Sequence, residues 1–153
     1  MTYEQTKALA LNLQELTQQD LNFETMEKEE VEEILESMET MIDDWDYLVL
    51  TDEEADEKAG EYIQDSLRAF NAGFIIEHSK VLDNDEASDC ILKAIQEQSE
   101  NWNVAVLKLI DDLQEFIDDA IWSDGRWHFI SMYDWNENEE TIEGTTYFIY
   151  RMN

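Results

Sequence analysis

Side chains able to do covalent or metal chemistry are scarce in this sequence, which holds one cysteine, Cys90, and two histidines, His78 and His128. A structural zinc site needs four Cys or His ligands at short spacings, and these three residues stand too far apart. Nucleophilic catalysis by a Ser-His-Asp or Cys-His set would be expected to carry a G-x-S-x-G elbow or a cysteine motif, and neither is present. With four glycines in all, the chain has no glycine-rich phosphate loop. Oxygen ligands are plentiful, so calcium merits a closer test. Asp134-Trp135-Asn136-Glu137-Asn138 matches the first three ligand positions of an EF-hand loop, but the required glycine falls on Glu139 and the twelfth position on Thr145. Asp83-Asn84-Asp85 fails sooner, with Ala87 at the third ligand position. Carboxylate pairs suited to glycoside hydrolysis arise by chance among 39 acids and single out no residue. The expectation is no catalytic residue, no cofactor and no metal.

What stands out instead is charge. The 39 Asp and Glu face 9 Lys and Arg, a formal charge of −30. Positions 24–57 hold sixteen carboxylates against one cation, Lys28. Direct binding of nucleic acid is disfavoured, because phosphates need cations to displace their counterions. An anionic membrane is disfavoured for the same reason. The partner such a surface fits is a basic protein. Glu29, Glu30, Glu32, Glu33, Glu36 and Glu39 lie on one predicted helix, with Asp43, Asp44 and Asp46 after them, and these nine are the candidate contact residues. Six glutamates over roughly 15 Å of helix give one charge per 2 to 3 Å. Duplex DNA presents one per about 1.7 Å, so two such helices side by side approach its charge density.

Hydrophobic spacing supplies the elements that would position these acids. Tyr3, Leu9, Leu13 and Leu16 predict a helix over 2–17. Met26, Val31, Ile34, Leu35, Met38, Met41, Ile42 and Trp45 form the apolar stripe of a second, read as core, with the glutamates on the opposite arc. Asp43, Asp44 and Asp46 oppose the helix dipole where they stand, so they contribute nothing to that helix. Thr51 and Glu54 predict a capping box, which gives Asp52, Glu53 and Glu54 a purely structural role. Ala55, Ala59, Tyr62, Ile63, Leu67 and Phe70 form the inner face of the helix that follows. Leu82 to Glu86 reads as a loop or helix start. Ala87, Cys90, Ile91, Ala94 and Ile95 are expected to face inward, with Cys90 a small core residue. Trp102, Val106, Leu109, Ile110, Leu113, Phe116, Ile117 and Ile121 predict one long, central helix.

After the Asp124-Gly125 turn signal the period changes. Residues 127–133 (Trp-His-Phe-Ile-Ser-Met-Tyr) and 145–151 are rich in strand formers and predict an antiparallel pair, with 134–144 as a polar loop and His128 on the sheet surface. A bare pair is marginal in water, so a third strand is expected, with Tyr47–Leu50 the candidate. The fold class is therefore α+β: a mainly helical single domain of about five helices (1–122) with a C-terminal antiparallel β-hairpin or small sheet (123–153). With 43% apolar residues the chain can build a core. A lone cysteine, no signal-peptide pattern and no long apolar run lead us to expect a cytoplasmic protein.

Two passages carry a resemblance: YLVLTDEEADEKAGEYIQDSLRAFNAGFI (47–75) and DGRWHFISMYDWNENEETIEGTTYFIYRMN (124–153). Both are similar to segments of small acidic proteins encoded by phages and prophages, the second through a DGRxHFxxxYD pattern followed by an acidic stretch and a YYIYR-like strand. Trp127 and Trp135 stand where that group tends to carry smaller residues. The resemblance implies a phage or mobile-element context and no catalytic residue. Together with the charge it leads us to expect a non-enzymatic acidic inhibitor of a host DNA- or RNA-handling protein. A CRISPR effector or restriction enzyme, met by DNA mimicry, would suit. The alternative is a phage interaction or scaffold module whose acidity serves solubility and whose contacts use an apolar patch drawn from Trp45, Tyr47, Trp127 and Trp135.

Overall fold

The computed structural model describes residues 1–17, 25–41, 46–97, 102–131 and 133–153, without the side chains of 15–17 and 38–41. Among these the elements in chain order are α1 (Tyr3–Thr17), α2 (Lys28–Met41), β1 (Tyr47–Thr51), α3 (Asp52–Asp65), α4 (Ala72–Glu77), α5 (Glu86–Gln96), α6 (Trp102–Leu109), α7 (Leu113–Asp124), α8 (Arg126–Ile130), β2 (Asn138–Ile142) and β3 (Thr145–Arg151). The class is α+β, mainly helical with a small antiparallel sheet. The chain forms two compact units, 1–58 with 126–153, and 59–125. No helix among the described residues is long and apolar enough to cross a membrane.

The first unit is organised by β3. Tyr147, Phe148, Ile149 and Tyr150 are all buried, so apolar side chains leave this strand on both faces. Such a strand needs cover on both sides and neighbours on both edges. It lies between β1 and β2, antiparallel to each, with Val49 opposite Ile149 and Glu140 opposite Tyr147. Ala8, Leu9 and Leu13 of α1 and Val31 and Leu35 of α2 pack with Val49, Ile142, Tyr147 and Ile149. Each large aliphatic side chain buried there contributes roughly 1.5–3 kcal/mol.

The third strand is thus the expected one, Tyr47–Leu50 extended by Thr51, but β3's other neighbour is not. Residues 127–130 are helical, not extended, and β2 comes from the tract read as a polar loop. Gly125, at φ 80°, ends α7, and the Ser131 N–H then closes a helical turn on the Trp127 carbonyl. That turn buries Ile130 and leaves Trp127 and His128 outward. Strand propensity yields to this placement because it measures fit to a half-buried pleat, which these rings do not find here. β2 carries Glu139, Glu140 and Thr141 because it is an edge strand with Ile142 alone fully buried. Its turn into β3, Glu143-Gly144, has φ of 51° and 87°, the two-residue geometry whose twist suits a hairpin.

In the second unit, 59–125, the expected long helix is two. Asp112 accepts the N–H groups of Gln114 and Glu115 and starts α7 afresh, while Ile110 leaves the helix to bridge Ser79. The capping aspartate outweighs continuous hydrophobic periodicity, since it satisfies N–H groups that an unbroken helix would bond internally. Asp85 caps α5 in the same way through the Ser88 N–H, which holds its carboxyl below the usual range.

Gly144 sits in the left-handed region with open space around its Cα. Gly144→Val is therefore expected to destabilise the protein by about 1–2 kcal/mol through backbone strain alone, read as a lowered urea midpoint with unchanged slope.

Candidate interaction surface

The described side chains of helix α2 sort as the stripe predicts, while those of Met38, Met41 and Ile42 lie outside the described residues. Val31 and Leu35 are buried and Ile34 partly so, while Glu29, Glu30, Glu32, Glu33 and Glu36 are exposed. Glu30 accepts the Glu27 N–H at 3.1 Å, a favourable contact at the positive end of the helix dipole. Lys28 Nζ lies 3.4 Å from Glu32, a solvated pair contributing about 0.3–0.5 kcal/mol. Glu39 belongs to α2, but its side chain lies outside the described residues, as do Asp43, Asp44 and Trp45 altogether. Asp46 is exposed and precedes β1, where its carbonyl accepts the Met152 N–H. The Thr51–Glu54 capping box forms: Glu54 accepts from the Thr51 N–H at 2.8 Å and from its hydroxyl at 2.9 Å. An open groove of about 640 Å³ adds to the acidic surface, with Thr51, Asp52, Glu53, Glu139 and Phe148 among its walls.

Sequence reasoning missed a heavily engaged cation, Arg126. The Arg126 side chain is only 13% exposed. Its Nη1 lies 2.6 Å from Asp52 and 3.2 Å from Asp56, and its Nε 3.6 Å from Glu137. Its guanidinium sits 4.1 Å over the Phe148 ring. Glu137 also accepts the Tyr150 hydroxyl at 2.5 Å. Burial opposes the arginine's charge, but Asp52, then Glu137, Tyr150 and Asp56, outweigh it and hold the guanidinium more firmly protonated. The available signal was scarcity, since a chain with 9 cations against 39 acids invites the question of where each cation goes.

The acidic tract after α8 is drawn to several partners. Asp134 Oδ1 accepts from the Ser131 hydroxyl at 2.7 Å and from the Asn136 N–H at 3.2 Å, while Glu137 turns to Tyr150 and Arg126. Among the described residues no group of three or more His, Cys, Asp or Glu side chains is placed to hold a metal ion. His78 packs between Phe74 and Phe116, with Nδ1 3.0 Å from the Phe74 carbonyl and Nε2 3.1 Å from Asp119.

Cys90 is exposed, against the expectation of a core residue. So are Ala87, Ile91 and Ala94; α5 turns Ser88 and Leu92 inward instead. Gln96, on the adjoining arc, donates to the carbonyls of Arg68 and Phe70, which draws that arc inward.

The structure does bring Trp127 and Trp135 together, their rings 6.4 Å apart and nearly perpendicular. Tyr47, grouped with them as a possible apolar patch, is instead part of β1 and packs against the α1–sheet core. No family model, curated protein or solved structure matches the chain.

Arg126→Met strands Glu137 in a largely enclosed position. The loss is expected to be roughly 2 kcal/mol, below the 3–5 of a fully buried pair, because Asp52 and Asp56 keep their water; thermal unfolding measures it. Three phenols add a pH dependence. Burial pushes Tyr47 up to about 12, with Arg151 opposing and Asp134 assisting. Burial likewise raises Tyr147 and Tyr150, the latter helped by Glu137. The folded state keeps protons that the unfolded chain releases near pH 10, so stability is intact below about 10 and falls as pH rises toward 12. Tyr47→Phe should reduce that fall, measured as the urea midpoint on either side of this window.

Proposed function

We propose that this protein is a non-enzymatic acidic inhibitor whose α2 glutamates occupy the basic cleft of a host DNA- or RNA-handling protein in place of phosphates. The setting is the cytoplasm of a cell infected by a phage or carrying a prophage. The CRISPR effector or restriction enzyme of that cell is the leading candidate target. The observation that carries the reading is the exposure of Glu29, Glu30, Glu32, Glu33 and Glu36 along one helix whose other face is anchored in the core.

Those five carboxylates span about 10 Å, one per roughly 2 Å, close to the spacing of duplex charge. A core-packed helix pre-organises them, so binding orders little backbone, and electrostatic steering speeds the encounter. The described acids do little for α2 itself beyond the Glu30 contact at its start and the Lys28–Glu32 pair, which leaves them available to a partner. The alternative is an interaction module whose acidity serves solubility; the exposed Trp127 and Trp135 favour it, and it differs in tolerating salt.

Pull-down from host lysate at two salt concentrations tests the reading. Affinity for the captured basic protein should fall about a hundredfold or more between 50 and 200 mM salt. The combined replacement of Glu29, Glu30, Glu32 and Glu33 by Lys should abolish capture while circular dichroism stays unchanged. Capture that survives both changes would end the proposal.

A further inference from the structure

We propose that Trp127, His128 and Trp135 form a receptor for an arginine side chain presented by a basic protein partner. This rests on the reading above only in taking that partner to be basic. It concerns a different surface and a different kind of contact.

Trp127 and His128 stand on the outer side of α8, and Trp135 on the turn that follows. The indoles meet at 85° with centroids 6.4 Å apart, and the His128 ring lies 5.3 Å from Trp135. Trp127 is 37% and Trp135 52% exposed. Clustered, outward aromatic rings of this size are the usual anchors of a protein interface.

The position is built. Ser131 is fully buried and its hydroxyl donates to Asp134; Asp134 accepts the Asn136 N–H, and the Trp135 N–H donates to the Ser131 carbonyl. Trp135 itself is held at φ 57°, a left-handed conformation costing a non-glycine residue about 1–2 kcal/mol. Glycine would relieve that strain. An indole is kept there nonetheless, half in water with the Trp127 and His128 rings against it.

Charge selects the occupant. Positions 134–140 hold Asp134, Glu139 and Glu140, besides the Glu137 that faces Arg126, and no cation. The nearby Arg126 is engaged by Asp52, Asp56 and Glu137, and Arg151 lies 4.1 Å over the Tyr133 ring. A net −30 repels nucleic acid, an anionic membrane and a second copy of this chain alike. A guanidinium suits both features, stacking its plane on an indole while its charge is drawn to the acids. The protein sets guanidinium groups over smaller aromatic rings internally, Arg126 over Phe148 and Arg151 over Tyr133.

The test titrates the full chain with an octa-arginine peptide, and separately with octa-lysine, at about 0.15 M salt, following the indole N–H signals by NMR. The Trp127 and Trp135 signals should shift saturably, more with arginine than lysine. Trp135→Gly, which relaxes the backbone and so keeps the fold, should weaken octa-arginine about fivefold to tenfold. Equal affinity in Trp135→Gly and the parent overturns the proposal, as does a dimer in size-exclusion chromatography that this substitution dissolves. Replacement of Glu29, Glu30, Glu32 and Glu33 by Lys separates the two ideas. Indole shifts that persist in that variant support the receptor whatever becomes of α2. Octa-arginine binding lost there but unchanged in Trp135→Gly overturns the receptor and leaves the α2 reading standing.

Discussion

Arg126 is the constraint on which the first unit depends. A chain with so many carboxylates must fold against its own repulsion, which weakens the compact state whatever the core contributes. At Arg126 one cation faces three acids from two separate stretches: Asp52 and Asp56 from the first turns of α3, and Glu137 from the approach to β2. The same guanidinium covers Phe148, which leaves β3 on the face opposite the α1–α2 core. Charge pairing and apolar cover are therefore one structure on that side of the sheet. Lysine would keep the charge and lose the flat stacking and the fork of donors that reach several oxygens at once.

The division of labour among the acids follows. Glu54 and Asp112 satisfy helix N–H groups, and Asp52, Asp56 and Glu137 hold Arg126. Only after these are set aside do the exposed glutamates of α2 stand out as charge whose local role is slight. That residue of unexplained charge, more than the total of −30, is what the proposal of a basic partner rests on.

How far the sequence disclosed this differs from place to place for physical reasons. α2 and the Thr51–Glu54 cap were legible because their signals are local: one stripe, one four-residue box. The 47–51 strand could be suspected from its β-formers and from the need of a lone hairpin for a third strand. The helical turn at 126–130 was hidden, because aromatic residues suit strands and what overrides them, the pull of Asp52, Asp56 and Glu137 on Arg126, is tertiary. β2 was hidden for the opposite reason: an edge strand of glutamates has the composition of a loop. The outward face of α5, Cys90 with it, failed because periodicity finds an apolar arc and cannot say which neighbouring arc the rest of the protein covers. Of the candidate surface, the α2 glutamates could be read directly, while the meeting of Trp127 with Trp135 depends on a left-handed turn that no composition announces.

The strand order has a consequence for how the chain comes to be folded. β1 has β3 as its sheet neighbour, Tyr47 opposite Arg151, across roughly a hundred intervening positions. During synthesis β1 therefore leaves the ribosome with an open edge and an unfilled hydrogen-bond ladder, and it waits in that state while 59–125 is made. Such an edge invites pairing with the wrong strand, and dense like charge is what keeps two nascent copies apart. The acidity around β1, on α2 before it and in the first turn of α3 after it, sets that repulsion beside the open edge.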